Sequence, residues 1–249
     1  MIFKIDHHNH ILTIINNLKT EVFEKSFAYF GGGTLITLTN QEYRKSNDID
    51  FICSVGLLGY KQLRTLIFEQ GYQGLFSDLS LISLGRSTMD QYGIRLLITL
   101  NNFFIKMEII AEARFCVGEP QYFSWSSIPC LNYNDCCTAK LLANADRYMD
   151  DSVQSRDLID LAILRLQGKF SSVAIERAEN AYEVIRPLKV AIERFQQREN
   201  YRSKCFFSLQ IEEDNFPRII DGIDLLADDL GLPPTKRNFK EQTNLFPFE

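Results

Sequence analysis

Three consecutive glycines and a threonine stand between two apolar runs in the stretch YFGGGTLITLTN, residues 29–40. An apolar run that meets such a turn and resumes with helical spacing leaves few folds open. It predicts a buried strand, a glycine turn, and a helix whose first backbone N–H groups have no intrahelical partner. Upstream, Ile11, Ile14, Ile15, Leu18 and Val22 carry a helical period over residues 9–25, so the opening order is helix, strand, turn, helix. Missing side chains let backbone N–H groups reach an anion, and the helix dipole favours its charge. Gly32 and Gly33 are therefore suited to a phosphate, with Thr34 adding a hydroxyl donor.

A turn of this kind is commonly only a turn, and it is the next strand-like run that gives it chemistry. In NDIDFICS, residues 47–54, polar and apolar residues alternate, which predicts a half-buried strand with Asp48 and Asp50 on one face and Ile49 and Phe51 on the other. Two carboxylates held side by side repel unless a cation lies between them, and Mg²⁺ or Mn²⁺ takes oxygen ligands while sharing positions with substrate phosphates. A third carboxylate, Glu108, sits in the apolar run FFIKMEIIA and would complete a two-metal arrangement. Its alternative is an outward position beside Lys106 on an exposed sheet face.

Three strand-like runs, LSLISLG, IRLLITL and FFIKMEIIA, come after an amphipathic helix over residues 57–70 that Gly71 ends. Beyond Pro129 every long segment carries the helical period. This predicts an α+β chain: a mixed sheet with flanking helices in residues 1–130, then a helical bundle in residues 131–249.

Composition narrows the class. A net charge of −5 excludes a protein that coats nucleic acid through an overall cationic surface. The N-terminus has no basic segment and no small-residue cleavage site, and no apolar run is long enough to span a bilayer. Six cysteines without a Cys-x-x-Cys pair suit free thiols in a reducing compartment, so a cytoplasmic protein is expected. His7, His8 and His10 are the only histidines, and a solvated N-terminal segment is preferred for them over a metal cluster.

The order apolar strand, Gly-Gly-Thr, helix, Ser-x-Asp-Ile-Asp-Phe, later strand carboxylate resembles the nucleotidyltransferase superfamily. AKLLANADRYMDDSVQSRDLIDLAIL, residues 139–164, and YRKSNDIDF, residues 43–51, are similar to the AbiEii-like nucleotidyltransferase toxins of bacterial toxin-antitoxin and abortive-infection systems. The resemblance covers roughly residues 25–165. It implies that Gly32, Gly33 and Thr34 hold the triphosphate of an NTP, that Asp48, Asp50 and Glu108 hold Mg²⁺ or Mn²⁺, and that Lys140 and Asp157 are catalytic, with Arg156 structural. The family pattern commonly has Asp where this chain has Glu108, whose longer arm shifts the second metal or makes it optional. Lys140, Asn144 and Arg147 share one helix face and could balance triphosphate charge, while Asp157 and Asp160 on the next helix could orient those cations or take a proton. A salt-bridged contact between two helices is the alternative.

The expected activity is transfer of a nucleoside monophosphate from an NTP to an acceptor hydroxyl, with a cognate antitoxin implied by the resemblance. The acceptor is RNA, such as tRNA, or a small molecule of the antibiotic type; a catalytically silent nucleotide-binding module is a third possibility, against which the intact carboxylates speak. For RNA, Arg194, Arg198 and Arg202 recur at multiples of four and predict a basic stripe on a helix, with Pro187 breaking that helix near its start and leaving Arg186 outside.

Overall fold

A computed structural model describes residues 2–242. The chain divides into two units, residues 1–42 with 46–136, and residues 43–45 with 137–249. The sequence placed the division near residue 130. It falls between Cys136 and Cys137, and the short segment Tyr43–Lys45 leaves the first unit to join the second.

The first unit is built on a five-stranded mixed sheet. After helices α1 (Asp6–Ile15) and α2 (Thr20–Lys25), strand β1 (Ala28–Gly31) runs into α3 (Gly32–Thr39), and β2 (Ile49–Ser54) leads to α4 (Gly59–Gln70). Strands β3 (Ile82–Met89), β4 (Gly93–Leu100) and β5 (Phe103–Glu112) complete the order β1-β2-β5-β4-β3. All neighbours are antiparallel except β2 and β5, which are parallel. The β4–β5 turn is Asn101-Asn102, both with positive φ, the twist that a two-residue hairpin requires. Gly71, with φ +71°, ends α4 as its position after the apolar periodicity predicts.

On β4 and β5 the alternation is clean: Ile94, Leu96, Ile98, Ile105, Met107 and Ile109 are buried, while Arg95, Lys106 and Glu108 lie on the more open face. β2 departs from the half-buried expectation, because Asp50 is the one residue of its six that is not fully buried. A central strand is flanked on both edges, and the chain after β5 returns over it, with the Val117 N–H donating to Ser54 Oγ at 2.8 Å.

The second unit contains α5 from Cys137 onward (the whole helix is Tyr133–Arg147), α6 (Arg156–Gln167), α7 (Ser172–Glu179), α8 (Ile185–Gln197), α9 (Glu199–Ser208) and α10 (Phe216–Asp229). α6 is its centre, buried at every position from Asp157 to Leu164. α10 approaches it so closely at Gly222 that a Cβ there would stand 2.3 Å from the Ala162 carbonyl oxygen. Residues 174–198, whose apolar spacing alone suggests one helix, form parts of two, since Glu179 Oε1 accepts the Val184 and Ile185 N–H groups at 2.8 and 3.0 Å and starts α8 afresh. Pro187 lies inside the first turn of α8, where its missing N–H costs nothing, so Arg186 is helical. Among the described residues no helix is long and apolar enough to cross a membrane.

Candidate active site

The glycine turn and the carboxylates meet in the first unit. Gly32 opens α3 with φ +66°, and a Cβ built on it would stand 2.5 Å from Asp50 Oδ2. Both facts demand glycine, because an L side chain is strained at that φ and would occupy the space of the carboxylate. The N-terminus of α3 is thereby set against Asp50, with Gly33 and Thr34 in its first turn. Parallel pairing of β2 with β5 places Asp50 opposite Glu108 in register. Asp48, half-buried, directly precedes β2.

Thr34 is 1% exposed. Its hydroxyl donates to the Asp48 carbonyl and lies 2.7 Å from Ser46 Oγ. The proton expected for a phosphate is directed inward, and what Thr34 fixes is the backbone at Asp48. Glu108 is also engaged, with Oε1 accepting from Arg95 Nε at 2.7 Å and Oε2 from Lys106 Nζ at 2.7 Å. The hydrogen bond to Glu108 raises the Lys106 pKa despite partial burial, and the charges of Glu108, Asp48 and Asp50 add to it.

Among the described residues no group of three or more His, Cys, Asp or Glu side chains forms a metal cage. Asp48 and Asp50 suit one ion by chemistry and spacing along the chain, whereas both oxygens of Glu108 are taken by Arg95 and Lys106. The histidines give no cluster either, and they are not a solvated segment. His8 is wholly buried on α1, His7 Nε2 is 3.0 Å from the Asn47 carbonyl, and the His10 ring lies 4.2 Å from that of Phe103.

In the second unit, Lys140 and Asn144 on α5 are buried, and Arg147 closes the same helix half-exposed. Lys140 Nζ contacts Asp157 Oδ1 at 3.0 Å and Asp160 Oδ2 at 2.6 Å; Arg147 Nη2 contacts Asp157 Oδ2 at 2.7 Å. Asp160 additionally accepts from Arg44 Nε at 2.8 Å and Nη2 at 3.0 Å, and from the Tyr43 hydroxyl. Burial pushes the Asp157 carboxyl up, but Lys140 and Arg147 outweigh it and hold the pKa below the usual value. For Asp160 burial is likewise overcome, by Arg44 and then Lys140, and the carboxyl lies well below the ordinary range. Burial lowers the Lys140 pKa, yet Asp160 and Asp157 outweigh it and raise the pKa above its ordinary value. The Asn144 amide nitrogen is buried without a hydrogen-bond partner and faces a recess lined also by Arg147, Ser155 and Asp157. Arg156 begins α6 and is half-buried.

The basic stripe does not form. The helix carrying it ends at Arg198, where α8 gives way to α9. Arg202 is 0% exposed, bidentate to Glu241 at 2.5 and 2.8 Å, and donates to the Phe195 and Gln196 carbonyls. The spacing by four runs across a helix boundary, so Arg194 on α8 and Arg202 on α9 share no helix face, and Arg202 points inward. Arg194 and Arg198 stay at the surface, both on Asp151, with Arg198 also 4.3 Å over the Tyr201 ring. Sequence reasoning gave no part to Tyr43, Arg44 or Arg95. Arg44 was inside the quoted YRKSNDIDF motif, and nothing local marks Arg95 apart from its alternation with buried neighbours.

The pattern of the family described as nucleotidyl transferase AbiEii toxin, type IV TA system, matches residues 15–241. Two crystal structures of Helicobacter pylori proteins are similar to the chain. One, classed as a nucleotidyltransferase, is 16% identical, with 90% of this chain and 95% of that chain covered and a TM-score of 0.48. The other, JHP933, is 15% identical, with 92% and 95% covered and a TM-score of 0.48. No curated protein matches.

Proposed function

The chain belongs to the AbiEii nucleotidyltransferase toxin family of type IV toxin–antitoxin systems, and from that premise we propose that it transfers a nucleoside monophosphate from an NTP to an acceptor hydroxyl. The observation that carries this is the closeness of Gly32 to Asp50, which sets a helix N-terminus beside a carboxylate. An N-terminus attracts phosphate and a carboxylate attracts a cation, so the pair suits an anion that arrives with its counter-ion.

Asp48 and Asp50 would hold Mg²⁺ or Mn²⁺, which when bound supplies charge neutralisation at the phosphoryl oxygens. The backbone of Gly32, Gly33 and Thr34 binds the triphosphate. The acceptor oxygen bonds to the α-phosphorus as the bond to pyrophosphate breaks, and the hydroxyl proton passes to a carboxylate or to water. Lys106 and Arg95 hold Glu108, and with it the cationic balance beside Asp50. In the second unit, taken by itself, Lys140 and Arg147 are held by Asp157 and Asp160, and the Asn144 amide nitrogen is buried without a hydrogen-bond partner. Asp157 orients Lys140 and Arg147; with its pKa held down it is a weak proton acceptor, which disfavours it as the base.

RNA is the acceptor proposed, and a cognate antitoxin the proposed partner. A small-molecule acceptor is favoured instead by one observation, the burial of Arg202, which removes one of the three arginines on which RNA was expected to lie. Incubating the protein with each labelled NTP and total RNA separates the two. Label in RNA supports the proposal, while NTP binding without label in any RNA favours the small molecule.

A further inference from the structure

We propose that His8 is a positioning residue for Asp48, holding the backbone on either side of Asn47 through Ser46 and Thr34. This rests on the reading of Asp48 as part of the nucleotide site. His8 precedes the matched region, residues 15–241, and lies in the first unit with every partner named here.

The imidazole is 0% exposed and both its nitrogens are used. Nε2 is 3.1 Å from the Ser46 backbone nitrogen, whose N–H can only donate, so Nε2 carries no proton. Nδ1 then carries it and donates to Glu42 Oε1 at 2.7 Å. One neutral tautomer fits both bonds. Glu42 is fixed in turn by the Lys4 and Ile5 N–H groups at 2.6 and 3.0 Å. Its backbone and that of Gln41 have φ of +54° and +64°, a left-handed conformation that non-glycine residues keep when their surroundings dictate it. Beyond His8, Ser46 Oγ meets Thr34 Oγ1, and Thr34 donates to the Asp48 carbonyl. The chain just before β2 is thus fastened to α1 by one residue and to α3 by the next but one.

An imidazolium could not accept the Ser46 N–H, so protonation would release that fastening. Burial and His7 on the same helix oppose the charge, Glu42 favours it, and the balance keeps the His8 pKa below its ordinary value. A histidine serving only the core would stabilise the fold and leave the site's affinity untouched once the protein is folded. The two roles therefore separate in variants that differ in the acceptor and not in size.

His8→Gln retains an acceptor for the Ser46 N–H, and His8→Leu fills similar space without one. Calorimetry of Mn²⁺·NTP on folded protein at pH 7.5, with amide hydrogen exchange of residues 46–48, reads the difference. We expect His8→Leu to weaken binding roughly tenfold and to speed exchange at Ser46, with His8→Gln within about threefold of wild type. Equal affinity and equal Ser46 protection in the two variants would overturn the proposal. Should His8→Leu not fold, His8→Phe, which keeps a ring but offers no acceptor nitrogen, takes its place against His8→Gln at pH 7.5. Weaker binding and faster Ser46 exchange in His8→Phe than in His8→Gln support the proposal, and equal values overturn it. A wild-type protein that binds no nucleotide refutes the function assigned to Asp48 and leaves the fastening to be decided by Ser46 exchange alone.

Discussion

Replacing Asp160 by Asn should be among the most destabilising single changes in the second unit. Asp160 is fully buried and takes Arg44 through two nitrogens, Lys140 at 2.6 Å and the Tyr43 hydroxyl. Asn keeps the shape and removes the charge. The cluster of Arg44, Lys140 and Arg147 against Asp157 and Asp160 has a formal charge of +1, and Asp160→Asn raises it to +2 with a single carboxylate remaining. Breaking a buried pair from one side costs about 3–5 kcal/mol, and Asp160 serves two cations, so the upper part of that range applies. At about 2–4 °C per kcal/mol for a chain of this size, the melting temperature should fall by roughly 10–20 °C. Asp157→Asn should cost less, about 2 kcal/mol, because its partner Arg147 is 37% exposed and can turn to water. Guanidinium denaturation followed by circular dichroism gives both values. Adding Lys140→Met to Asp160→Asn should recover at least about 1 kcal/mol, since one orphaned cation leaves with its partner. A cost for Asp160→Asn within about 1 kcal/mol of wild type would refute the view that these charges depend on one another.

Gly32→Ala should abolish Mn²⁺·NTP binding and cost at least about 1–2 kcal/mol, because Ala is strained at this φ and its methyl displaces Asp50; binding retained at wild-type strength would show that the α3 N-terminus is not the site. Stability should fall as pH drops below 6.5: the His8 pKa is lowered on folding, so the unfolded chain binds more protons there and the native state loses ground, as melting at pH 7.5, 6.5 and 5.5 will show. A second loss should come only below about pH 4, where the depressed carboxyls Glu42, Asp157 and Asp160 begin to protonate in the unfolded chain. Arg202→Met should cost about 3–5 kcal/mol by stranding buried Glu241, whereas Arg198→Gln should leave the melting temperature nearly unchanged; the reverse order would contradict the inward direction of Arg202.

What the sequence made legible was local. The strand, glycine turn and helix of residues 28–39 arise from apolar runs broken by residues without side chains, and period-two alternation put Glu108 and Lys106 on one face of β5. Asp50 stands opposite Glu108 once β2 and β5 pair in parallel. Long-range pairing was not legible. Arg44 and Asp160 are 116 positions apart, and nothing local in YRKSNDIDF says that its arginine is buried in another unit. Arg202 needed Glu241, and His8 needed Glu42 and the Ser46 N–H, before either could be buried. Spacing tells which residues share a helix face; whether that face meets water depends on a partner elsewhere in the chain.

The central claim is that Asp48 and Asp50, beside the N-terminus of α3, form a metal-dependent nucleotide site. Calorimetric titration with each NTP, with and without Mn²⁺, in wild type and in the Asp48→Ala, Asp50→Ala double variant tests it most directly. Wild type is expected to bind only with Mn²⁺ present and the double variant not at all, with a melting temperature unchanged or raised because paired carboxylates no longer repel. Undiminished Mn²⁺-dependent affinity in a folded double variant would contradict it.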